Sequence, residues 1–282
     1  MMLAVVGAVV IGLSLGLLGS GGSILTVPVL VYVLGHADKP AIAESLAIVG
    51  GIALIGALPG VFGKRVDWRM VLFFGVPAMA GTWLGALVSL WVPGAIQLLI
   101  FALVMLLAAG FMLRGSGPTA KTTAKNVGGN IDGPNVLLVL AEGLGVGVLT
   151  GLVGVGGGFL IVPALVLLGG LGMRKAVATS LVIIVGKSAV GFWKYLSVLG
   201  DLNMEVDWPI IGLFIAIGGG GAILGSRIGG RVDPRSLRRW FGIFLVVMGI
   251  VIGAKETMSL SKIEMDIQQV ESHQTNERLP AP

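Results

Sequence analysis

A glycine-rich stretch occurs twice in this chain, 135 residues apart. The first copy, at residues 16–28, reads GLLGSGGSILTVP, and the second, at 151–163, reads GLVGVGGGFLIVP. Glycine costs roughly 0.5–1 kcal/mol within a helix relative to alanine. Its repeated use inside apolar segments therefore indicates a backbone that must break or approach something closely. Any fold for this chain has to accommodate two such breaks.

The composition is that of a membrane protein. The chain has 282 residues, of which 55% are apolar and 12% are charged, whereas soluble domains carry roughly 25% charged residues. Its apolar runs are long and continuous, which is typical of transmembrane helices. A β-barrel would alternate apolar and polar residues instead. The sequence therefore predicts an all-α polytopic membrane protein.

The residue types that serve most catalytic and metal sites are scarce. The chain has no cysteine and two histidines, and we interpret His36 and His273 as isolated residues. This excludes a disulfide framework, a thiol nucleophile and a His/Cys metal cluster. We expect no enzyme activity, cofactor or metal. The net charge of +5 is attributed to cytoplasmic loops rather than to nucleic-acid binding.

The duplication extends beyond the glycines. Ala43, Ser45 and Leu46 are identical to the residues 135 positions later, Ala178, Ser180 and Leu181. Val66-Asp67-Trp68 is repeated 140 positions later, at 206–208. We divide the chain into a first membrane repeat (1–113), a hydrophilic linker (114–135), a second membrane repeat (136–254) and a polar tail (255–282). Each repeat has three further apolar spans. They are 41–62, 70–91 and 95–113 in the first repeat, and 176–199, 208–226 and 240–254 in the second.

Charge indicates how the repeats are oriented. The turn at 63–69 is basic, whereas its counterpart at 201–207 is acidic. Basic loops stay in the cytoplasm, so equivalent loops lie on opposite faces and the repeats are inverted. Each glycine region then contributes zero or two crossings. Its legs, about 16 and 12 residues long, are shorter than the roughly 20 residues of a full span. We predict a re-entrant or tilted helical hairpin with the glycines at its tip. Parallel repeats with eight spans are the alternative.

Irregular backbone at membrane depth is tolerated where it is buried in protein or lines a cavity. Helices are predicted to start near Ser23 and Gly158, and a helix start exposes N–H groups that suit an anion. The alternative is a purely structural role, in which these glycines only permit tight helix crossing. The candidate substrate-binding residues at the two tips are Gly19, Ser20, Gly21, Gly22, Ser23, Gly154, Gly156, Gly157 and Gly158.

Other polar residues inside the apolar spans are also candidates. Ser45, Thr179 and Ser180 could cap their helices or face the tips. Lys187 is a candidate counter-charge for an anion, and Glu142 a candidate proton carrier, because charges inside a membrane are costly. The alternative is that Lys187 and Glu142 pair with each other or lie at a depth that water reaches.

Two prolines also belong to the repeated stretch. Pro28 and Pro163 are expected to kink or end the returning legs.

The duplicated signature resembles that of the TauE/SafE family of sulfite exporter-like permeases. The resemblance rests on G-x-x-G-x-G-G-[GS]-x-L-x-V-P at 16–28 and 151–163, with A-x-x-S-L downstream. It implies a multi-pass transporter of the prokaryotic inner (plasma) membrane that carries a small anion such as sulfite or an organosulfonate across the lipid bilayer. Because the sequence has no nucleotide-binding motif, we expect the energy to come from an ion gradient, with a proton or another coupling ion, or from a partner. We expect no nucleic-acid partner.

We expect a secondary transporter that works by alternating access, since inverted repeats with broken helices are the usual plan of such proteins. An anion channel with the same glycine-tip pore is the alternative.

Overall fold

The computed structural model describes residues 2–18, 22–113, 135–154, 157–167, 170–228, 239, 242–243 and 246–258. Four of the predicted site residues, Gly19, Ser20, Gly21 and Gly156, lie outside the described residues. So do nearly all of the predicted linker, 114–134, and most of the predicted tail, 259–282.

The described residues form helices joined by short turns, which confirms the all-α prediction for them. Two of these helices contain a π-helical segment, at Val29–Val33 after α2 and at Val71–Gly75 between α4 and α5. The helices are α1 (Met2–Leu18), α2 (Ser23–Pro28), α3 (Asp38–Phe62), α4 (Trp68–Met70), α5 (Val76–Val88), α6 (Gly94–Leu113), α7 (Asn135–Val153), α8 (Gly158–Leu167), α9 (Met173–Asp201), α10 (Trp208–Ile228) and α11 (246–258).

Four helices among the described residues are long and apolar enough to cross a membrane. They are α3, the continuous helix Trp68–Val88 formed by α4 and α5, α9 from Arg174, and α10. All four fall on predicted spans. The shorter apolar helices include α1, α7 and the return leg Ser23–Val33. The chain is therefore a polytopic membrane protein.

Helices α3 and α9, which are equivalent in the two repeats, lie side by side and run in opposite directions. The late residue Gly60 of α3 lies against Ala178, near the start of α9, and Gly50 lies against Ser188. Near the start of α3, Leu46 contacts Gly191, beyond the middle of α9. The two helices form the centre of the fold.

Two further helix pairs flank this centre, α1 with α10 and α5 with α7. Gly12 of α1 faces the backbone of Gly218, and Gly16 faces that of Ala222; a Cβ atom at either glycine would meet that backbone at under 3.0 Å. The residue numbers of the contacts increase together along the two helices, so α1 and α10 run in parallel. Small residues allow this close approach.

The pair α5 and α7 repeats this geometry at corresponding positions. Gly147 faces the backbone of Ala78, and Gly151 faces that of Thr82. Adding 135 to the residue numbers in α1 gives the contact residues of α7, and subtracting 140 from those in α10 gives the contact residues of α5. Gly16 and Gly151 are the first glycines of the two copies of the duplicated stretch. Their contacts support tight helix crossing as their role.

Each glycine stretch is followed by the start of a new helix. Helices α2 and α8 begin at Ser23 and Gly158, as the sequence predicts. Gly22 packs against Ile11 and Leu15, and farther along the return leg Val29 packs against Gly7, so this leg runs back along α1. Pro28 is the last residue of α2, and Pro163 lies inside α8.

The glycine crossing of α5 and α7 generates a prediction about stability. Gly147→Ala places a methyl group against the Ala78 backbone, so it should destabilise the protein by roughly 1–3 kcal/mol, as overpacking does. Thermal unfolding of the purified protein in detergent measures this, at about 2–4 °C per kcal/mol for a chain of this size.

Gly145→Ala on the same helix is the matched control, because a Cβ there meets nothing within 4 Å. It should leave the midpoint unchanged or raise it slightly. Equal midpoints for the two variants would contradict the close crossing.

Candidate functional site

Gly154 and Gly157 are the described residues between α7 and α8, and we call these two residues the second glycine turn. Gly154 has φ of +71° and Gly157 has φ of +61°, a backbone region that L side chains rarely adopt. The Gly154 amide donates to the Thr150 carbonyl at 2.9 Å and ends α7, while the Leu160 amide donates to the Gly157 carbonyl at 3.0 Å and begins α8. These φ values favour glycine at both positions.

Lys187 of α9 is completely buried against this turn. Its Nζ donates a hydrogen bond to Thr150 Oγ1 at 2.7 Å, and Thr150 Oγ1 donates to the Gly147 carbonyl at 3.1 Å. A Cβ atom at Gly157 would collide with Lys187 Nζ and with the Thr150 side chain. The ammonium group therefore lies directly on the glycine backbone.

The alternative in which Lys187 pairs with Glu142 does not hold. Within the described part of the chain, neither residue forms an ion pair with the other, and Lys187 has a hydroxyl rather than a carboxylate as its hydrogen-bond partner. Glu142 lies on α7 at intermediate burial, two turns before Thr150. Lys187 is thus a buried lysine without a carboxylate partner among the described residues.

Ser45 connects α3 to the same turn. Its Oγ donates to the Gly154 carbonyl, and it also lies 3.2 Å from the Ile42 carbonyl. Ser180, its counterpart, has a bond to the Val177 carbonyl of its own helix at 2.9 Å. Because α3 begins at Asp38 and α9 at Met173, neither serine caps its helix.

Thr179 lies away from the glycine turns and contacts the turn before α4. Its Oγ1 accepts a hydrogen bond from the Asp67 amide at 2.9 Å. The equivalent residue of the first repeat, Glu44, accepts from the Asp207 amide at 2.9 Å through Oε1. We call these contacts the Thr179 latch and the Glu44 latch. Each ties a turn of one repeat to a central helix of the other.

Both aspartates also cap the helix that follows them. Asp67 Oδ1 accepts from the Met70 amide at 3.1 Å, and Asp207 Oδ1 accepts from the Ile210 amide at 3.0 Å. This explains the repeated Val-Asp-Trp sequence, since aspartate is a favoured N-cap residue. The duplicated motif was visible in the sequence, but its partners Glu44 and Thr179 were not identified from it.

The interpretation of His36 as an isolated residue is wrong. His36 Nδ1 lies 2.5 Å from Glu44 Oε2, and the two side chains are 18% and 1% exposed. Among the described residues no group of three or more His, Cys, Asp and Glu lies together in a way that could hold a metal ion.

Tyr195 and Thr150 are the other residues that sequence reasoning missed. Tyr195 is fully buried on α9, and its hydroxyl donates to the Leu152 carbonyl at 2.9 Å, just before the second glycine turn. The available signal was its rarity, because the chain has two tyrosines. Thr150 gave no signal, since a lone threonine in an apolar helix is common.

The first glycine region lacks this polar set. At the positions equivalent to Thr150 and Lys187, the first repeat has Leu15 and Ile52, which are both buried. The described members of the first turn, Gly22 and Ser23, lie against α1 and in α2. The structure therefore gathers Gly154, Gly157, Ser45 and Lys187 at the second turn.

Comparison with known proteins identifies the family. The model of the sulfite exporter TauE/SafE family matches residues 3–252. The chain is 32% identical over 250 residues to a probable membrane transporter protein of Xylella fastidiosa, covering 86% of this chain and 90% of that protein. No solved structure matches significantly.

More distant relatives carry similar names. The probable membrane transporter protein YunE of Bacillus subtilis is 26% identical over 88% of this chain and 95% of its own length. A probable membrane transporter protein of Methanocaldococcus jannaschii is 25% identical over 86% and 92%. The family match spans nearly all of the membrane region described above, and on that ground the chain belongs to the sulfite exporter TauE/SafE family.

Proposed function

We propose that this protein is a secondary transporter for a small anion, of the sulfite or organosulfonate type, in the prokaryotic inner membrane. The observation that carries the proposal is the buried ammonium group of Lys187 at the second glycine turn. The names of the relatives support transport in general, and the family name supports sulfite as the first anion to test.

The physical argument for an anion is the cost of the unpaired charge. Burying an ammonium group is strongly unfavourable unless a negative charge and hydrogen bonds compensate it. Thr150 provides one uncharged partner, which leaves the charge itself without compensation. A transported anion would provide the missing charge, and the site would then be most stable when it is loaded.

The local backbone suits the same ligand. Helix α8 begins at Gly158, and the first N–H groups of a helix are free to bind an anion. Gly157 has no side chain between that backbone and the ammonium group. Sulfite and sulfonates present three oxygens to such donors, so the Lys187 ammonium would share the ligand with the helix start. The Thr150 hydroxyl would join them by turning its single O–H from the Gly147 carbonyl to the ligand.

Alternating access follows from an inverted arrangement of the repeats, which we also propose. The antiparallel packing of α3 on α9, and the parallel pairs α1 with α10 and α5 with α7, support a pseudo-twofold axis in the membrane plane. Inverted repeats of this kind expose a central site to each face in turn.

The inverted arrangement predicts a specific topology. Each repeat crosses the membrane an odd number of times, so the linker and the tail lie on opposite faces. The chain has no cysteine, so Ser116→Cys and Ser272→Cys can be labelled individually with a membrane-impermeant thiol reagent in intact cells. Exactly one of them should react. Reaction of both, or of neither before the cells are opened, would contradict the inversion.

Transport itself is predicted to depend on Lys187. Lys187→Met keeps the length of the side chain and removes its charge. It should reduce kcat/KM for saturable anion uptake by roughly 10²-fold or more, as expected when a buried ion pair loses one partner. Uptake of labelled sulfite and of a panel of sulfonates into proteoliposomes measures this.

Lys194→Met is the matched control. Lys194 lies on the same helix, and its ammonium group lies over the Trp83 ring at 5.7 Å, away from the glycine turn. This variant should transport like the wild type. Uptake by Lys187→Met equal to that of the wild type would contradict the proposed site. Single-channel currents that do not saturate with anion concentration would favour the anion channel.

A further inference from the structure

The Glu44 latch and the Thr179 latch occupy equivalent positions but have different chemistry. Both hold the amide of the aspartate in a Val-Asp-Trp turn at 2.9 Å. The Thr179 latch uses a hydroxyl, which does not titrate, whereas the Glu44 latch uses a carboxylate. One of the two equivalent contacts can therefore respond to a proton.

The Glu44 carboxylate also has a route for that proton. It is almost completely buried, at 1% exposed, and its Oε2 lies 2.5 Å from Nδ1 of His36, which is 18% exposed. An imidazole exchanges protons readily near neutral pH. A proton can therefore pass from solvent to the His36 ring and from Nδ1 to Glu44 Oε2 without the carboxylate itself meeting water.

We propose that Glu44, reached through His36, is the binding site of the coupling proton; this assignment rests on the transport function proposed above. Proton uptake turns the Glu44 carboxylate into a neutral carboxyl group. Its hydrogen bond from the Asp207 amide then loses its charge assistance, and such bonds are roughly half as strong when both partners are neutral. The turn between α9 and α10 is then held less tightly, by a neutral contact like that of the Thr179 latch, and loss of the proton restores the charge-assisted bond.

The surrounding charges do not replace Glu44 in this role. Asp207 uses its carboxylate to cap α10, and Lys39 donates to the Ser89 carbonyl. Glu256 accepts a hydrogen bond from Tyr32. The other titratable and charged groups of α3, α9, α10, α11, the Val29–Val33 segment and the turn before α10 are Tyr32, Asp38, Lys39, Arg174, Lys175, Lys187, Lys194, Tyr195, Asp201, Glu205, Asp207, Arg227, Lys255 and Glu256.

One residue links the latch to the anion site. Ser45 follows Glu44 on α3 and donates to the Gly154 carbonyl, at the turn whose other end, Gly157, lies against Lys187. A movement of α3 that accompanies weakening of the Glu44 latch would therefore be passed to Gly154 through Ser45. This is the coupling that a proton-driven anion transporter requires.

The proton site is tested without any substrate by the reactivity of a single cysteine. Val206→Cys precedes Asp207, and Val66→Cys is its counterpart beside the Thr179 latch; both positions are half-buried. The ratio of their labelling rates cancels the pH dependence common to thiols. As pH falls from about 8 to about 4, the labelling rate of Val206→Cys divided by that of Val66→Cys should rise by roughly tenfold, the factor expected for one weakened charge-assisted bond.

Glu44→Thr provides the decisive comparison, because it installs the residue that the second repeat uses at this place. In that background the ratio should not change with pH. A flat ratio in the otherwise wild-type chain, or the same rise in Glu44→Thr, would overturn the assignment.

Transport assays separate coupling from binding. Glu44→Gln should retain exchange of labelled for unlabelled sulfite and lose proton-gradient-driven accumulation by at least about tenfold. Loss of exchange together with accumulation, or retention of both, would overturn the assignment. If the wild type moves no anion, the proposed transport function fails, and the cysteine ratio still decides whether Glu44 is a proton-binding group.

Discussion

The functional interpretation of the structure depends on the contact between the buried Lys187 side chain and the backbone of Gly157. A charge in this position is stable only if its surroundings provide compensation, and the residues around it have the corresponding roles. Thr150 provides a hydrogen bond, and Gly157 leaves room for the ammonium group. Ser45 and Tyr195 donate to the carbonyls of Gly154 and Leu152, where α7 ends. The remaining requirement is a negative charge.

The scaffold around this site is nearly symmetric, but its chemistry is not. The glycine crossings Gly12–Gly218 and Gly147–Ala78 correspond at the repeat shifts, as do the two latches. The polar residues depart from this correspondence, because Lys187 replaces Ile52, Thr150 replaces Leu15 and Glu44 replaces Thr179. Small residues at the crossings preserve the packing, so single positions can diverge in chemistry without disturbing it.

Much of the fold could be predicted from the sequence, because its signals are local. Glycine clusters mark the helix starts at Ser23 and Gly158, and long apolar runs mark α3, α9 and α10. The site was harder, because its contacts join distant parts of the chain: Lys187 bonds Thr150, 37 residues away, and Glu44 bonds the Asp207 amide, 163 residues away. The sequence identified Lys187 as a costly charge but not its partner, and it gave no reason to connect His36 with Glu44.

The position of the bound anion tests the central claim most directly. Crystals grown with selenite, a heavier analogue of sulfite, would reveal the anion by anomalous scattering. The account predicts a peak with its oxygens at hydrogen-bond distance, about 2.7–3.2 Å, from Lys187 Nζ and Thr150 Oγ1, and no such peak in Lys187→Met. A peak elsewhere in the protein, or one unaffected by that substitution, would contradict it.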